Sequence, residues 1–553
     1  MNPKIIIIGL DGATFDVIKP MVKRGWLPNI AKLMHSGVYG ELESTIHPIT
    51  PQAWSTFLTG KNAGKHGIFD FIRRKEGSYD IEFINASHRN GESIFLYLSR
   101  QGLKVGAIAI PFTYPPEPLN GFMLSGLDAP AEDERAVYPK EIFEEICKRF
   151  GNYYIHLASP VGRTSNEDNF WKDIQTEDRN RTDISLYLME YHPCDLFMTT
   201  YNNTDRVQHQ YLTSKFLEDI VNTDKTNVRI NLISKTYENV DREIGRILDR
   251  IHKDTLVILI SDHGSGPIRR VFFLNRWLQE HGFLSYRQKS HVGFHIVENA
   301  RHLSKRLLPR WAKGFIKGFF PQVRDKVESY RYFSEMDWTK TIAYGFGTYG
   351  NLYINLKGRE PHGIVPIEDF DKICNQITEK LLDLRDPDTG TMLIERVYRK
   401  ENLYHGLCST QAPDLIIGWK DYEYYTSTDP VRERGSYFGK FLKIDSSGFD
   451  HVGTHRLNGI FIAHGKNVKQ GNVLYGAHIA DISPTILFAL GQPIPNEMDG
   501  KVLFDIFTGD FLKGCSPKYV SLGEKTLIGS SHVDYTAEES KEVKERLKGL
   551  GYL

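Results

Sequence analysis

The sequence predicts an α/β fold: a doubly wound, mostly parallel sheet with helices on both faces and an inserted domain. Three observations lead there. Short apolar runs rich in β-branched residues, Ile5–Leu10, Lys104–Ile110 and Thr255–Ile260, have the composition of strands buried on both faces. Helical patterns separate them, as the crossovers of a parallel sheet require. From about residue 276 to 440 that pattern is interrupted, then resumes, which marks an insertion in a chain of 553 residues, too long for one ordinary core.

Taken in order, Ile5–Leu10 ends in Asp11-Gly12, so a carboxylate stands at the carboxyl end of a central strand. Helical patterns follow at Phe15–Lys23 and Leu27–His35, then a strand near Val38–Glu43. Thr50 directly precedes Pro51, and the next nine residues can form a helix, so Thr50 reads as the N-cap and Pro51 as the first helical residue. Its hydroxyl would lie where unpaired N–H groups and the positive end of the helix dipole meet, a place for an oxyanion or a phosphoryl group. On this stretch alone a threonine there is more simply an ordinary cap.

Lys104–Ile110 is the next strand, Tyr138–Phe150 a helix, and the polar stretch 152–190 a helical excursion. Asp195–Thr200 reads as a strand, followed by Asp205 and His209. Standing four apart, these share a face of any helix, a spacing that a metal ion can bridge and that, taken alone, more often marks a solvated surface. A long amphipathic helix over 225–252 leads into Thr255–Ile260, which delivers Asp262-His263-Gly264 to its carboxyl end, where a crevice can hold a cation.

Within the interruption, Arg301–Arg324 carries seven Lys or Arg, no acid, and four interleaved aromatic residues. It reads either as a basic surface for a membrane or anionic substrate or, more simply, as a cap helix with a solvated face. Tyr353–Leu356 and Asp414–Gly418 look like strands of the same insertion. The core pattern resumes at Gly453-Thr-His455, just ahead of an apolar strand; Ala480–Leu490 is helical, with Pro484 in its first turn. Thr536-x-x-Glu539 is a capping box for a terminal helix. The expected division is a core over 1–275, an inserted cap or substrate domain over 276–440, a second core part over 441–520 and a helical tail over 521–553.

Lys plus Arg equals Asp plus Glu at 69 each, so no net field draws the chain to nucleic acid or an acidic membrane, and any anion site must be local. Five scattered cysteines without a CxxC pair argue against a disulfide framework or a thiolate metal site and fit a reducing compartment. The first strand begins almost at residue 1, leaving no room for a signal peptide, and no apolar run approaches the roughly 20 residues needed to span a bilayer. The expectation is a cytoplasmic protein.

Asp11, Asp205, His209, Asp262, His263 and His455 all fall near the ends of core strands, with Thr50 in the same layer. Three carboxylates, three imidazoles and a hydroxyl form a ligand set for two zinc-like ions, with manganese also accepted by an Asp/His set. Two divalent cations against three carboxylates leave a charge of about +1, suited to an anionic phosphoester.

At these residues the sequence resembles the type I phosphodiesterase/nucleotide pyrophosphatase family of the alkaline phosphatase superfamily. The motifs are Gly9-Leu-Asp11-Gly, Thr50-Pro-x-x-Trp-x-x-x-x-Thr-Gly60, Lys65-His-Gly-Ile68, Asp205-x-x-x-His209, Ser261-Asp-His-Gly264 and Gly453-Thr-His455. Lys357-Gly-Arg-Glu-Pro361 and the closing Leu550-Gly-Tyr-Leu553 resemble a prokaryotic branch of it. The resemblance implies an alkaline-phosphatase-like core. It implies one metal on Asp205, His209 and His455, and another on Asp11, Asp262, His263 and the Thr50 oxygen. On that set Thr50 attacks phosphorus in line, a phospho-threonine forms, and water then releases it, so that two inversions give net retention.

The substrate implied is a small phosphorylated molecule: a nucleotide, sugar-phosphate or lipid-headgroup ester. Rival readings are a phosphomonoesterase, phosphonate hydrolase or phosphotransferase on the same residues, and a non-catalytic metal or glycan-phosphate binding protein. One departure stands out. Where family phosphodiesterases often place a phosphate-binding asparagine beyond His-Gly, this chain has Phe69-Asp-Phe-Ile72. Lys61, Asn202, Asn203 and Arg206 are candidates for that contact by closeness to the motifs, each also readable as structural. His66 reads as fixing a turn, and His47 and His451 as bystanders. Thr50-Pro51-Gln52 does not match the C/S-x-P-x-R pattern of the related sulfatases.

Overall fold

The computed structural model describes residues 3–157, 167–222, 232–287, 333, 335–428, 436–439, 442–444, 449–522 and 532–550. Ile5–Leu10 is the centre of a nine-stranded sheet. On one side of it run Leu256–Ile260, Asn458–His464, Val38–Glu43 and the edge strand Asn472–His478. On the other run Leu196–Tyr201, Val105–Ile110, Gly121–Ser125 and Val137–Tyr138. Ile5–Leu10 pairs in parallel with both its neighbours. Only Asn458–His464 and Val137–Tyr138 run against the rest.

Two-sided burial explains the unbroken apolar runs. Ile6, Ile8 and Leu10 pack into one hydrophobic cluster, with helices Phe15–Lys23, Pro28–Ser36 and Leu232–Leu248. Ile5 and Ile7 pack into the cluster on the opposite face, with helices Thr50–Thr59, Ile94–Arg100 and Ile482–Ala489. Each fully buried isoleucine contributes about 1.5–3 kcal/mol, so a polar residue on either face would be costly. The doubly wound α/β class is thereby realised.

Between the strands Leu256–Ile260 and Asn458–His464 the chain builds a separate four-stranded sheet, ordered Ala343–Gly345, Asn351–Ile354, Leu415–Trp419, Ile394–Arg399. Its core holds Tyr344, Leu352, Ile417 and Trp419 with Cys374, Ile377 and Leu381 of helix Phe370–Leu382. It also draws in Phe272, Leu274 and Ile72. The basic stretch Arg301–Arg324 lies outside the described residues, as does the start of the amphipathic helix, which is seen over Leu232–Leu248.

The terminal helix Ala537–Leu550 starts at the expected capping box: Glu539 N donates to Thr536 Oγ1 at 3.2 Å and Thr536 N to Glu539 Oε2 at 2.9 Å. Val543, Leu547 and Leu550 then pack with Ile49, Phe71 and Tyr349. Among the described residues no helix is long and apolar enough to cross a membrane.

Candidate metal centre

Parallel strands share one carboxyl edge, and the chemistry gathers there. Asp11 follows Ile5–Leu10, Asp205 and His209 sit in helix Asn203–Tyr211 after Leu196–Tyr201, and Asp262-His263 follow Leu256–Ile260. His455 arrives on Gly453–Arg456, paired antiparallel with Gly264–Pro267. Helix Thr50–Thr59 begins at the same edge. The seven residues are buried, His209 being the most exposed at 3%.

The cap assignment at Thr50 needs correction. Ile49 is the N-cap: its backbone is extended and its carbonyl accepts the first helical bond, from Ala53 N at 2.9 Å. Thr50 is the first helical residue and its side chain makes no capping bond. The hydroxyl instead lies 3.3 Å from His263 Nε2. Backbone geometry alone closes the helix end, and the Thr50 oxygen is left facing the histidines.

Each of the three histidines turns Nδ1 to a backbone carbonyl: His209 to Gly453 at 3.0 Å, His263 to Gly264 at 3.0 Å, His455 to Pro48 at 2.7 Å. A carbonyl only accepts, so Nδ1 carries a proton and Nε2 is the nitrogen that can offer a lone pair to an ion; in the bare protein, against the effect of burial, Asp205 raises His209 through that same Nε2. Those lone pairs converge. His209 and His455 Nε2 stand 3.0 Å apart, and the rings of His263 and His455 stack at 3.5 Å between centroids. Asp205 lies 3.1 Å from His209 Nε2 and 3.6 Å from His455 Nε2. His263 Nε2 lies 3.2 Å from Asp262 Oδ2 and 3.7 Å from Asp11 Oδ1.

Two sets of ligand atoms are close enough to hold an ion: Asp205, His209 and His455, and Asp11, Asp205 and His263. Asp205 belongs to both. Asp262, expected in the second set, stands beside it, with Oδ1 accepting from Gly12 N at 3.2 Å. Gly12 is required here, because at φ +64 a Cβ would fall 2.5 Å from Asp205 Oδ1.

The electrostatics of the bare protein are unfavourable. Burial, then repulsion from Asp262 and Asp205, raises the Asp11 carboxyl well above the usual range. Trp54 and Asp262 adjoin it, yet among the described residues neither Asp11 oxygen accepts a hydrogen bond. Asp262 is likewise raised, by burial first. Burial opposes ionisation of Asp205 too, but His209, His455 and His263 together hold it below the ordinary range. Burial, then His263, pushes His455 well down. Carboxylates crowded together, facing imidazole lone pairs with their tautomers set from behind, are the donor set of divalent cations.

Of the candidate substrate contacts, Lys61, Asn203 and Arg206 turn elsewhere. Lys61 follows the far end of the ten-residue Thr50 helix, about 15 Å along its axis. Asn203 donates to Asp178 at 2.8 Å, and Arg206 lies against the Phe170 ring and 3.9 Å from Glu177, so both face helix Glu167–Tyr191. Asn202 is buried, its Oδ1 unbonded among the described residues. Asp70, in the stretch just beyond His-Gly-Ile, accepts from Phe71 N and from the backbone and hydroxyl of Thr348, tying the core to the second sheet. His66 holds its turn through Thr56 Oγ1 and Ile68 N.

Tyr349 was not among the sequence candidates, yet its ring stacks on His455 at 5.3 Å. The signal was its setting, Gly345-Phe-Gly-Thr-Tyr-Gly350, a glycine-rich turn in which Tyr349 itself takes φ +58. A surface groove of about 810 Å³ lies at the opposite edge of the sheet, lined by Lys4, Ile5, Lys104, Asp195, Leu256 and Lys466, away from this chemistry.

A family model described as type I phosphodiesterase / nucleotide pyrophosphatase matches residues 5–436. Among solved structures, phosphonoacetate hydrolase from Sinorhizobium meliloti 1021, in complex with phosphonoacetate, is similar in fold. Its TM-score is 0.50 at 12% identity, over 87% of this chain and 94% of that one. Murine ectonucleotide pyrophosphatase / phosphodiesterase 5, as an inactive variant with AMP, gives a TM-score of 0.48 at 12% identity, over 92% of this chain and 100% of that one. No curated protein matches by sequence.

Proposed function

The chain belongs to the type I phosphodiesterase/nucleotide pyrophosphatase family of phosphoric ester hydrolases, and from that premise we propose that it cleaves phosphodiester or pyrophosphate bonds through a phospho-Thr50 intermediate. The observation that carries the proposal is the convergence of three Nε2 lone pairs, their Nδ1 atoms tied to carbonyls, on three buried carboxylates and the Thr50 hydroxyl. In this reading Asp205, His209 and His455 hold one divalent ion, and Asp11, Asp262, His263 and the Thr50 oxygen hold the other, with Asp205 within reach of both. When bound, the ions supply Lewis acidity, polarising phosphoryl oxygens and easing ionisation of the hydroxyl.

The remaining work falls to the chain. The N-terminus of helix Thr50–Thr59, whose first turn carries N–H groups on Thr50 and Gln52 but none on Pro51, would receive the phosphoryl oxygens. Thr50 Oγ1, free of any capping duty, forms the new bond to phosphorus as the bond to the leaving oxygen breaks on the opposite side. Water entering from the vacated side then breaks the Oγ1–phosphorus bond and restores Thr50. Two in-line displacements retain configuration at phosphorus. With the three Nε2 atoms given over to the ions, no imidazole of this set is left as a general base, which favours a hydroxyl activated by its ionic neighbours.

The substrate in this reading is a small phosphorylated molecule, the ions are zinc or manganese, and five free cysteines favour a reducing compartment such as the cytoplasm. The test is hydrolysis of bis-p-nitrophenyl phosphate and p-nitrophenyl phosphate with metal supplied, with Thr50→Ala as control. Diester turnover lost in Thr50→Ala supports the proposal. A strong monoester preference supports a phosphomonoesterase on the same residues, and undiminished turnover by Thr50→Ala overturns the nucleophile.

A further inference from the structure

The segment between strand Val38–Glu43 and the Thr50 helix is pinned at every turn. Ile46 O accepts from Tyr404 Oη at 2.6 Å and Gln52 Nε2 at 3.2 Å. His47 O accepts from Thr45 Oγ1 at 2.8 Å and Ile49 N at 2.9 Å. Pro48 O takes His455 Nδ1. The side chain in the middle is the exception. His47 is 3% exposed, and neither ring nitrogen hydrogen-bonds to any described group.

Its neighbours are aromatic. Tyr349 lies 5.9 Å away between centroids and Tyr422 6.5 Å away, edge-on. Both tyrosines belong to the segment between the two parts of the main sheet, and both have positive φ, +58 and +51, a conformation bulky residues hold only under constraint and one that clusters at binding sites. Tyr349 also stacks on His455. His47 is therefore one residue from the carbonyl that orients a candidate metal ligand, and one ring away from that ligand.

A buried imidazole with both nitrogens unbonded is costly, and such a group calls for a function. Burial alone lowers its basicity, to about 3, no carboxylate, lysine or arginine contributing. The ring is neutral, with one N–H donor and one lone pair.

We propose that His47 is a specificity-determining residue that hydrogen-bonds an uncharged, hydroxyl-bearing substituent of a phosphodiester, seated beside Tyr349 and Tyr422. This rests on the hydrolase reading above and narrows it. A neutral ring among phenol rings suits a glyceryl or sugar hydroxyl, and gives no compensation for the second anionic phosphate of a pyrophosphate.

The test compares two esters with one leaving group, glyceryl p-nitrophenyl phosphate and methyl p-nitrophenyl phosphate, with zinc or manganese supplied. The parent protein should favour the glyceryl ester in kcat/KM. His47→Leu should cut that preference by about tenfold to a hundredfold, the loss expected when a buried hydrogen bond goes unmade, chiefly through KM. The methyl ester should be hydrolysed as before, and His47→Gln, which keeps a donor and an acceptor, should recover part of the preference. Binding of glyceryl methyl phosphate to Thr50→Ala protein, measured by calorimetry, should weaken by the same factor when His47→Leu is added. Equal losses on both esters would mark His47 as structural and overturn the inference, as would an unchanged preference or a parent that favours a pyrophosphate diester. If the metal-supplied parent hydrolyses neither ester nor any pyrophosphate, the hydrolase reading itself falls.

Discussion

Asp205 stands within reach of both sets of candidate ligands, and that makes it the most informative residue to remove. An ion bound only by the folded protein and present at 1,000 times its Kd adds about 4 kcal/mol to stability. Unfolding entropy of about 2.1 cal/mol/K per residue gives about 1.2 kcal/mol/K for a chain of 553 residues unfolding as one unit, so each ion raises Tm by about 3–4 °C and two by about 7 °C. His209→Ala takes a ligand from the His455 set alone and should leave about half of the shift. Asp205→Ala removes a carboxylate lying 3.1 Å from His209 and 3.6 Å from His455 and belonging also to the set with Asp11 and His263, and should leave well under half. The assay is thermal unfolding of chelator-treated protein titrated with zinc or manganese chloride, alongside bound-metal analysis. Should Asp205→Ala lose no more of the shift than His209→Ala, the shared carboxylate is refuted. Should the parent show no shift, the cluster is not a metal centre.

Gly12→Ala should lower metal affinity about tenfold to a hundredfold by pushing Asp205 aside, measured by calorimetry; unchanged affinity would count against Asp205 as a ligand. Burial raises the Asp178 carboxyl to about 7, against about 3.9 unfolded, so the folded state binds the extra proton. Its stabilisation is whole below the unfolded value and is lost as pH rises to about 7, a difference of about 4 kcal/mol that Asp178→Asn should flatten in urea titrations across that window. Leu547→Ala should cost about 2–5 kcal/mol in urea unfolding and depress diester turnover as well, because Leu547 belongs to the hydrophobic cluster that holds Ile49 and Tyr349; normal turnover would detach the terminal helix from the site.

The legibility of this molecule divides along physical lines. Strands buried on both faces leave no room for polar residues, so Ile5–Leu10 and Leu256–Ile260 announce themselves, and residues just past a parallel strand must share an edge, which brings Asp11, Asp262 and His263 together. The N-cap lies one residue before Thr50 because capping is decided by which carbonyl takes the first helical bond, and Ile49, with no side-chain donor or acceptor to signal it, takes that bond. Lys61 looked close to Thr50 because sequence distance ignores the rise of the intervening helix. Asn203 and Arg206 flank Asp205 in sequence but turn toward another helix, since successive helical residues point about 100° apart. His47 could not be singled out at all: its setting depends on Tyr349 and Tyr422, brought in from distant parts of the chain.

The measurement that bears most directly on the whole account is mass spectrometry of metal-supplied protein quenched with acid during turnover of bis-p-nitrophenyl phosphate. The account predicts a substituted-phosphoryl adduct on the peptide containing Thr50, chased away as turnover completes and absent from Thr50→Ala. Steady diester turnover with the modification on another residue, or Thr50→Ala protein hydrolysing the diester as fast as the parent, would contradict it.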